Sequence, residues 1–270
     1  MAVIGRALQE MVTDAAPGEL DVIVICNGCT DDTAAIARRF GPPVRVIETA
    51  TSSKTHSLNL GDESALAFPR IYADADVLIT TSAIRALATR LQRGDVLAVA
   101  PRPRFDLSGC SWAVRAYYDI AERLPAARQG FGGSGVYALS EAGRRRFGKF
   151  PALVADDAYV RVHFKPHERE TLASITSTVF PPRTLRNVIA VKARVRYGNL
   201  ELARLLPGLW TNMDESNHRE LARLFKHPSL WLRLFVYSLV TILARLRARI
   251  DLRRNTMVWE PDESSRAPLS

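Results

Sequence analysis

The sequence predicts an α/β fold in which helices flank an open, mostly parallel sheet. Residues 20–26 are a nearly continuous apolar run rich in β-branched side chains, which is typical of a strand buried on both faces. Segments with helical spacing alternate with such runs, and turn-forming pairs such as Asn27-Gly28 separate them. Alternation of this kind favours parallel strands joined by crossover helices.

The elements follow one another in this pattern along the first 150 residues. Thr30 or Asp31 can cap the second helix, and Gly41-Pro42-Pro43 ends it. The predicted helices are 4–12, 33–40, 58–68, 82–91 and 140–147, and the predicted strands are 20–26, 44–47, 71–79, 95–100 and 136–139. Because ligands collect at the carboxyl ends of strands in such sheets, we expect residues 26–27 and 74–76 to lie on the binding edge.

Two carboxylates interrupt the apolar run 71–79. On a strand Asp74 and Asp76 would project from the same side, where desolvation of either charge is costly. A divalent cation shared with a substrate phosphate would balance them, since Mg²⁺ and Mn²⁺ prefer oxygen ligands. The alternative is a strand end that runs into a turn, with both carboxylates solvated.

A second acidic pair, Asp156 and Asp157, follows another apolar approach. Two adjacent carboxylates in a closed pocket repel each other, so we expect one to have a raised pKa suited to proton abstraction. The alternative is a pair that caps a helix over residues 158–163.

Two further patterns suggest other chemistry. The Cys26-x-x-Cys29 pair has no second pair for zinc, so packing and turn formation account for it. Residues 130–135 satisfy G-x-G-x-x-G, but a strand-like segment follows them, whereas a dinucleotide site requires a helix there. We therefore predict a loop that lines a substrate cavity.

Charge and cysteine content limit the partners. The net charge is +9, and residues 144–254 carry 22 Lys and Arg against 9 Asp and Glu, so this half should attract anions. Its basic segment, 182–199, lacks the interleaved aromatic residues of a single-strand binder, and we expect no nucleic acid partner. Three cysteines and a start without a signal-peptide pattern predict a cytoplasmic protein.

In the C-terminal part of the sequence, a strongly apolar run flanked by arginines predicts a helix over 230–246. Its uninterrupted apolar stretch, 234–244, rises about 16 Å, which is half of a ~30 Å bilayer core and disfavours a spanning helix. Flanking arginines suit a helix that lies on anionic lipid at the inner face of the membrane. Packing against the domain or against a second copy is the alternative. We expect three parts: a domain over 1–200, this helical extension over 201–260, and a tail over 261–270.

Taken in order, the motifs resemble those of the family-two inverting glycosyltransferases, which have the GT-A (Rossmann-like) fold. Residues 24–33 are similar to the nucleotide-side turn of that family, and Lys54 with 58–61 is similar to its Lys-x-x-x-Leu-Asn-x-Gly stretch. Asp74-Ala75-Asp76 resembles its metal-binding D-x-D, residues 132–135 its acceptor-side loop, and residues 155–157 its acidic motif.

The resemblance implies a metal-dependent transfer of sugar from a nucleotide-diphosphate sugar to an acceptor hydroxyl of a saccharide, lipid or small molecule. Asp76 and Asp74 would hold Mg²⁺ or Mn²⁺ against the diphosphate. Asp157, beside Asp156, would deprotonate the acceptor. The remaining donor-binding candidates are Asn27, Asp31, Lys54, Asn59, Arg194 and Arg196.

The chain departs from the family pattern in two places. The family opens with an apolar strand that ends in a Pro-x-x-x-Glu-like turn, whereas this sequence begins at the first helix, which suggests a shortened version. Cys26 also occupies a position where the family often has Asp. Two alternatives remain open: an aspartate-nucleophile phosphatase using Asp74, and a non-catalytic basic module that binds membrane or nucleic acid.

Overall fold

The structure is a computed structural model that describes residues 3–213 and 217–254. It alternates helices and strands over its first 180 residues and ends in helices. The strands are β1 (Val22–Asn27), β2 (Val44–Thr49), β3 (Arg70–Ala73), β4 (Ala98–Phe105), β5 (Val136–Leu139) and β6 (Arg169–Val179). The helices are α1 (Val3–Val12), α2 (Thr33–Arg38), α3 (Lys54–Ser64), α4 (Thr81–Gln92), α5 (Trp112–Ala121), α6 (Glu141–Arg144), α7 (Asp156–Val162), α8 (Leu185–Leu205), α9 (His218–Leu224) and α10 (Trp231–Arg254).

The strands form two sheets. β1 and β2 pair in parallel, from Val22 opposite Val44 to Asn27 opposite Thr49. The second sheet has the order β3-β5-β4-β6, in which β5 runs antiparallel to its neighbours and the other three strands share one direction. The predicted α/β class with a mostly parallel sheet is confirmed. The division into two sheets was not predicted, and no described strand joins them.

Hydroxyl side chains start five of the helices. Each accepts a hydrogen bond from the backbone N–H three residues later, which satisfies one of the donors that a helix leaves unpaired at its first turn. These caps are Ser53, Thr80, Ser111, Ser140 and Thr184.

The prediction that β1 is buried on both faces is wrong. Only Cys26 is buried, while Val22, Ile23, Val24 and Ile25 remain half-buried. The reason is that β1 pairs with β2 alone, so no described strand covers its other edge.

The second sheet carries the main core, and a separate apolar cluster lies between α5, α8 and α10. That cluster includes Val114, Tyr117, Val188, Val236 and Val240. α8 crosses the predicted domain boundary at residue 200, and α10 packs on α5 and α8. The predicted tail, 261–270, lies outside the described residues.

Candidate active site

The D-x-D motif lies in a turn and not within a strand. β3 ends at Ala73, and the Val77 N–H donates to the Asp74 carbonyl oxygen at 3.1 Å, which closes a turn over Asp74, Ala75 and Asp76. The expected two-residue periodicity of the carboxylates on a strand is therefore wrong. The backbone instead follows the alternative prediction, in which the strand ends and runs into a turn. Both carboxylates are half-buried at the carboxyl end of β3.

Lys54 joins the two acidic motifs. It is the first residue of α3, and its Nζ lies 2.8 Å from Asp74 Oδ1 and 3.1 Å from Asp156 Oδ2. Packing around the ammonium group works against its charge, but Asp74, Asp156 and Asp157 outweigh this and raise the pKa of Lys54. The prediction that both acidic motifs share one site is thus supported by direct contacts.

Asp156 and Asp157 occupy different environments at the first turn of α7. The Asp156 side chain is 7% exposed, and burial raises its pKa, although Lys54 opposes the shift. Asp157 is half-buried, and its Oδ1 accepts a hydrogen bond from the Ala158 N–H at 2.7 Å. Neither carboxylate caps the helix, because the cap residue is Ala155. Burial raises the pKa of Asp156, whereas the resemblance names Asp157 as the base.

The glycine-rich loop before β5 contacts both motifs. Gly135, with φ +63°, comes so close to the D-x-D turn that a Cβ there would lie 3.2 Å from Asp74 Oδ2. The same Cβ would lie 2.5 Å from Val77 Cγ2. A Cβ at Gly132 would lie 3.7 Å from Asp157 Oδ2. Only glycine permits this approach at Gly135, so the loop lies directly against the D-x-D turn. That the loop lines a substrate cavity stays a prediction.

The predicted nucleotide-side residues lie at the end of β1. Asn27 is the last residue of that strand, and the following Gly28 packs against Ser52, two residues before Lys54. Asp31 is exposed, and its Oδ1 accepts a hydrogen bond from the Thr33 N–H at 3.1 Å, at the start of α2. Asn27 and the start of α3 therefore lie together, while donor binding by Asn27 and Asp31 stays a prediction.

The side chain of Asn59, a predicted donor-binding residue, is hydrogen-bonded within the fold. Its Nδ2 donates to the Phe150 carbonyl oxygen at 3.0 Å, and its Oδ1 accepts from the Phe150 N–H at 2.8 Å. Both ends of the amide are thus used in the fold. Asn59 fixes the segment that leads into Asp156, while donor binding by Asn59 stays a prediction.

The prediction that Arg196 helps to bind the donor receives no support from the placement of this residue. This side chain lies against α10, where burial and then Arg245 and Arg249 lower its pKa. Among the described residues, no hydrogen bond or ion pair joins it to Asp74 or Asp156. Arg194, two residues earlier on α8, stays a prediction.

Sequence reasoning missed Tyr137. It lies on β5, stacks on Tyr72 with ring centroids 4.8 Å apart, and is 6% exposed. Its hydroxyl has no hydrogen-bond partner among the described residues, and burial, followed by the nearby Asp156, raises its pKa. The sequence shows only an aromatic residue in a strand, so nothing in it points to this position.

The carboxylates of Asp74 and Asp76 suit a divalent metal ion whose remaining coordination positions are filled by phosphate and water. No group of three or more His, Cys, Asp or Glu capable of holding a metal occurs in residues 3–213 and 217–254. Mg²⁺ and Mn²⁺ are commonly held by one or two carboxylates, with phosphates and water as the remaining ligands. Asp74 and Asp76 meet that requirement, provided that a phosphate-bearing ligand is present.

Solved structures show the same fold at low sequence identity. A mannosyltransferase from Pyrobaculum calidifontis, in complex with GDP-Man and Mn²⁺, matches with a TM-score of 0.62 and 16% identity, over 94% of this chain and 84% of its own. Glucosyl-3-phosphoglycerate synthase from Mycobacterium tuberculosis, in complex with Mn²⁺, UDP-glucose and phosphoglyceric acid, matches with a TM-score of 0.55 and 17% identity, over 77% of this chain and 75% of its own. No curated protein sequence matches the chain.

The sequence itself matches one family. The profile of Glycosyl transferase family 2 covers residues 2–146, more than half of the chain, and includes the D-x-D turn and the glycine-rich loop. The match leaves the phosphatase and the non-catalytic module without support. The chain belongs to Glycosyl transferase family 2, and it is a glycosyltransferase with the GT-A fold.

Proposed function

We propose that the protein is a metal-dependent inverting glycosyltransferase that moves a sugar from a nucleotide-diphosphate sugar to an acceptor hydroxyl. The observation that carries the proposal is the bridge from Asp74 through Lys54 to Asp156, with Asp157 beside it. It brings the D-x-D turn and the acidic pair to one site. The two similar structures contain Mn²⁺ with GDP-Man or UDP-glucose, which supports this donor class.

The donor diphosphate would bind at the D-x-D turn. Asp76 and Asp74 would hold Mg²⁺ or Mn²⁺, and the ion would supply charge neutralisation of the leaving diphosphate. Lys54 adds a fixed positive charge at the same place, 2.8 Å from Asp74. Because Lys54 also neutralises the buried Asp156, it keeps the negative charge of the acidic cluster from repelling the donor.

Asp157 would take the proton from the acceptor. It is the more exposed member of the acidic pair, and its Oδ2 faces the loop at Gly132, where an acceptor hydroxyl could approach. Deprotonation increases the nucleophilicity of the oxygen as it attacks the anomeric carbon from the side opposite the diphosphate. That geometry inverts the anomeric configuration. Asp156 stays buried and paired with Lys54, which suits a positioning role.

The decisive experiment combines nucleotide sugars with metal. The protein is incubated with Mn²⁺ and a panel of nucleotide sugars, and nucleotide diphosphate release and thermal stabilisation are measured. We expect metal-dependent stabilisation by a nucleotide diphosphate that disappears in Asp76→Ala and persists in the surface control Asp95→Ala. Stabilisation that survives in Asp76→Ala would refute the metal site, and a product with retained anomeric configuration in NMR would refute inversion.

We also propose a cytoplasmic location. Cys26, Cys29 and Cys110 are all free thiols in the structure. Two of them are buried in a fold that needs no disulfide, which suits a reducing compartment. Fractionation of cells that express a tagged chain tests this, and recovery outside the cytoplasmic and membrane fractions would contradict it.

A further inference from the structure

The last helix carries an exposed apolar stripe along most of its length. Large apolar side chains recur every three or four residues from Trp231 to Ile250, which places them on one face over about 29 Å. Phe235 is 65% exposed and Ile242 is 54% exposed, values that are unusual for such side chains in a folded domain. The stripe consists of Trp231, Phe235, Leu239, Ile242, Leu246 and Ile250.

The opposite face of α10 is attached to the domain. Leu234, Val240, Ala244 and Ala248 are buried, and the helix packs on α5 and α8 along its length. By length and composition alone, the helix over Pro228–Arg254 could cross a membrane. To cross a membrane, α10 would have to separate its buried face from α5 and α8. The structure therefore favours a helix that stays packed on the domain and presents only its exposed face to a membrane.

Arginines border the stripe. On a helix with 100° per residue, Arg245 and Arg249 lie along one edge, and Arg247 and Arg254 lie along the other. The only carboxylate on the helix is Asp251, which pairs with Arg247. Neither Arg245 nor Arg249 makes an ion pair among the described residues. The edge therefore carries positive charge that is not neutralised within the described part of the chain.

The N-terminal end of the stripe is aromatic. Phe225, Trp231 and Phe235 line an apolar cavity of about 390 Å³ that also includes Leu234 and Ser238. The indole Nε1–H of Trp231 donates to the Phe225 carbonyl oxygen at 3.0 Å, which fixes the ring beside the cavity. Aromatic residues with a polar atom are favoured at the level of lipid headgroups.

We infer that this face of α10 is a docking surface for a membrane rich in anionic phospholipid, on which the helix lies in the plane of the headgroups. The stripe enters the apolar boundary, and the bordering arginines pair with lipid phosphates. A second copy of the chain fits less well, because it would bring further arginines to the contact and only one carboxylate from its own α10. The lipid supplies the anions that α10 lacks apart from Asp251.

The docking surface is close to the proposed catalytic residues. α10 packs on α8, and Gly198 of α8 lies against Ala155, where a Cβ would come within 2.6 Å of the Ala155 Cβ. Ala155 directly precedes Asp156. One helix thus separates the membrane-binding face from the acidic pair, so docking holds the active site near the lipid surface.

The test uses the full chain and vesicles of two compositions. Co-sedimentation is measured with phosphatidylcholine vesicles and with vesicles that contain phosphatidylcholine and phosphatidylglycerol in a ratio of about 7:3, so that only the second set carries anionic lipid. We expect binding to the anionic vesicles that high salt weakens. The double variant Phe235→Glu/Ile242→Glu should lose roughly a hundredfold in partitioning, since two buried apolar side chains are replaced by anions.

Two further variants make the result specific. Arg245→Gln/Arg249→Gln should lose roughly thirtyfold on anionic vesicles and little on neutral ones. Leu66→Glu, an equally apolar and 86% exposed position between α3 and β3, should bind as the unmodified chain does. Circular dichroism confirms that each variant is folded. Because binding is measured without substrate, failure of the proposed transferase activity would not affect this result.

Four outcomes would overturn the inference. The first is absence of vesicle binding. The second is binding that the Phe235→Glu/Ile242→Glu variant retains. The third is a concentration-dependent dimer, seen by light scattering, that does not bind vesicles and that the Phe235→Glu/Ile242→Glu variant cannot form. That result would show that a second copy covers the stripe. Resistance of bound protein to alkaline carbonate extraction would also overturn it, since that indicates a spanning helix.

Discussion

The ammonium group of Lys54 lies 3.1 Å from the carboxylate of Asp156 and 2.8 Å from that of Asp74. The three residues come from the start of α3, the start of α7 and the turn after β3. A single cation therefore holds together the two acidic motifs on which the proposed reaction depends. Without it, two carboxylates would face each other in a partly closed site, so Lys54 is both a structural and a functional element.

Replacement of Lys54 by Met should make the stability depend more strongly on pH. Burial raises the folded-state pKa of Asp156 from its ordinary value to about 6, so the folded state binds more protons in this range and the free energy of unfolding falls as the pH rises through it. Without Lys54 the pKa rises further and the fall extends to higher pH. We expect a loss of about 1–2 kcal/mol at pH 8, since Lys54 is partly exposed, and a smaller loss at pH 5.

Chemical denaturation at both pH values, in EDTA, measures this effect. Lys149→Met is the matched control, because Lys149 pairs with Glu63 on the surface and both side chains are mostly exposed. Its effect should be small and equal at the two pH values. An equal loss at pH 5 and pH 8 for Lys54→Met would contradict the assigned coupling to Asp156.

Replacement of Asp157 by Asn should abolish proton abstraction and preserve donor binding. A placed general base contributes about 10²- to 10⁴-fold, so kcat should fall by that factor while the donor KM and the metal-dependent thermal shift stay unchanged. Steady-state kinetics measure the first two quantities. Glu141→Gln, a surface carboxylate paired with Arg145, serves as the control. A larger fall for Asp156→Asn with near-normal Asp157→Asn would transfer the base role to Asp156.

The order of the motifs could be predicted from the sequence, but the local geometry of the D-x-D segment could not. Residues 71–79 form a long apolar run with the composition of a strand, and period-two reasoning follows from that. The hydrogen bond from the Val77 N–H to the Asp74 carbonyl oxygen ends the strand at Ala73 instead. The close approach of the loop at Gly135 accompanies this turn, and such an approach depends on residues far away in the chain.

β6 was missed for a similar reason. Its sequence, Arg169–Val179, mixes polar and small residues and has no apolar run of the kind that predicts a buried strand. It forms because β4 offers a parallel edge, to which it pairs from Arg169 opposite Ala98 onwards. The partner of Asn59 is likewise non-local, since its amide binds Phe150, and only the fold reveals that this amide is already used.

Replacement of Gly135 by Ala should disturb the D-x-D turn. A Cβ at this position would lie 2.5 Å from Val77 Cγ2, and φ of +63° is itself unfavourable for alanine, so we expect a loss of about 1–3 kcal/mol. The concentration of Mn²⁺ needed for thermal stabilisation with a nucleotide diphosphate should rise. Gly133→Ala is the control, because its Cβ would meet only Gln129 O, at 3.6 Å. Equal behaviour of the two variants would show that the approach of Gly135 to Asp74 is unimportant.

Replacement of Asn59 by Ala distinguishes its structural role from donor binding. The substitution leaves the N–H and carbonyl groups of Phe150 without their side-chain partner. Because both backbone groups are partly buried, we expect the free energy of unfolding to fall by about 2 kcal/mol. The donor KM should stay within about twofold, because the amide is not available to a ligand. Asn27→Ala is the matched comparison at the end of β1, where we expect a higher donor KM and an unchanged melting temperature. If Asn59→Ala instead raises the donor KM at constant melting temperature, the amide exchanges Phe150 for the nucleotide on binding, and the predicted role of Asn59 in donor binding is supported.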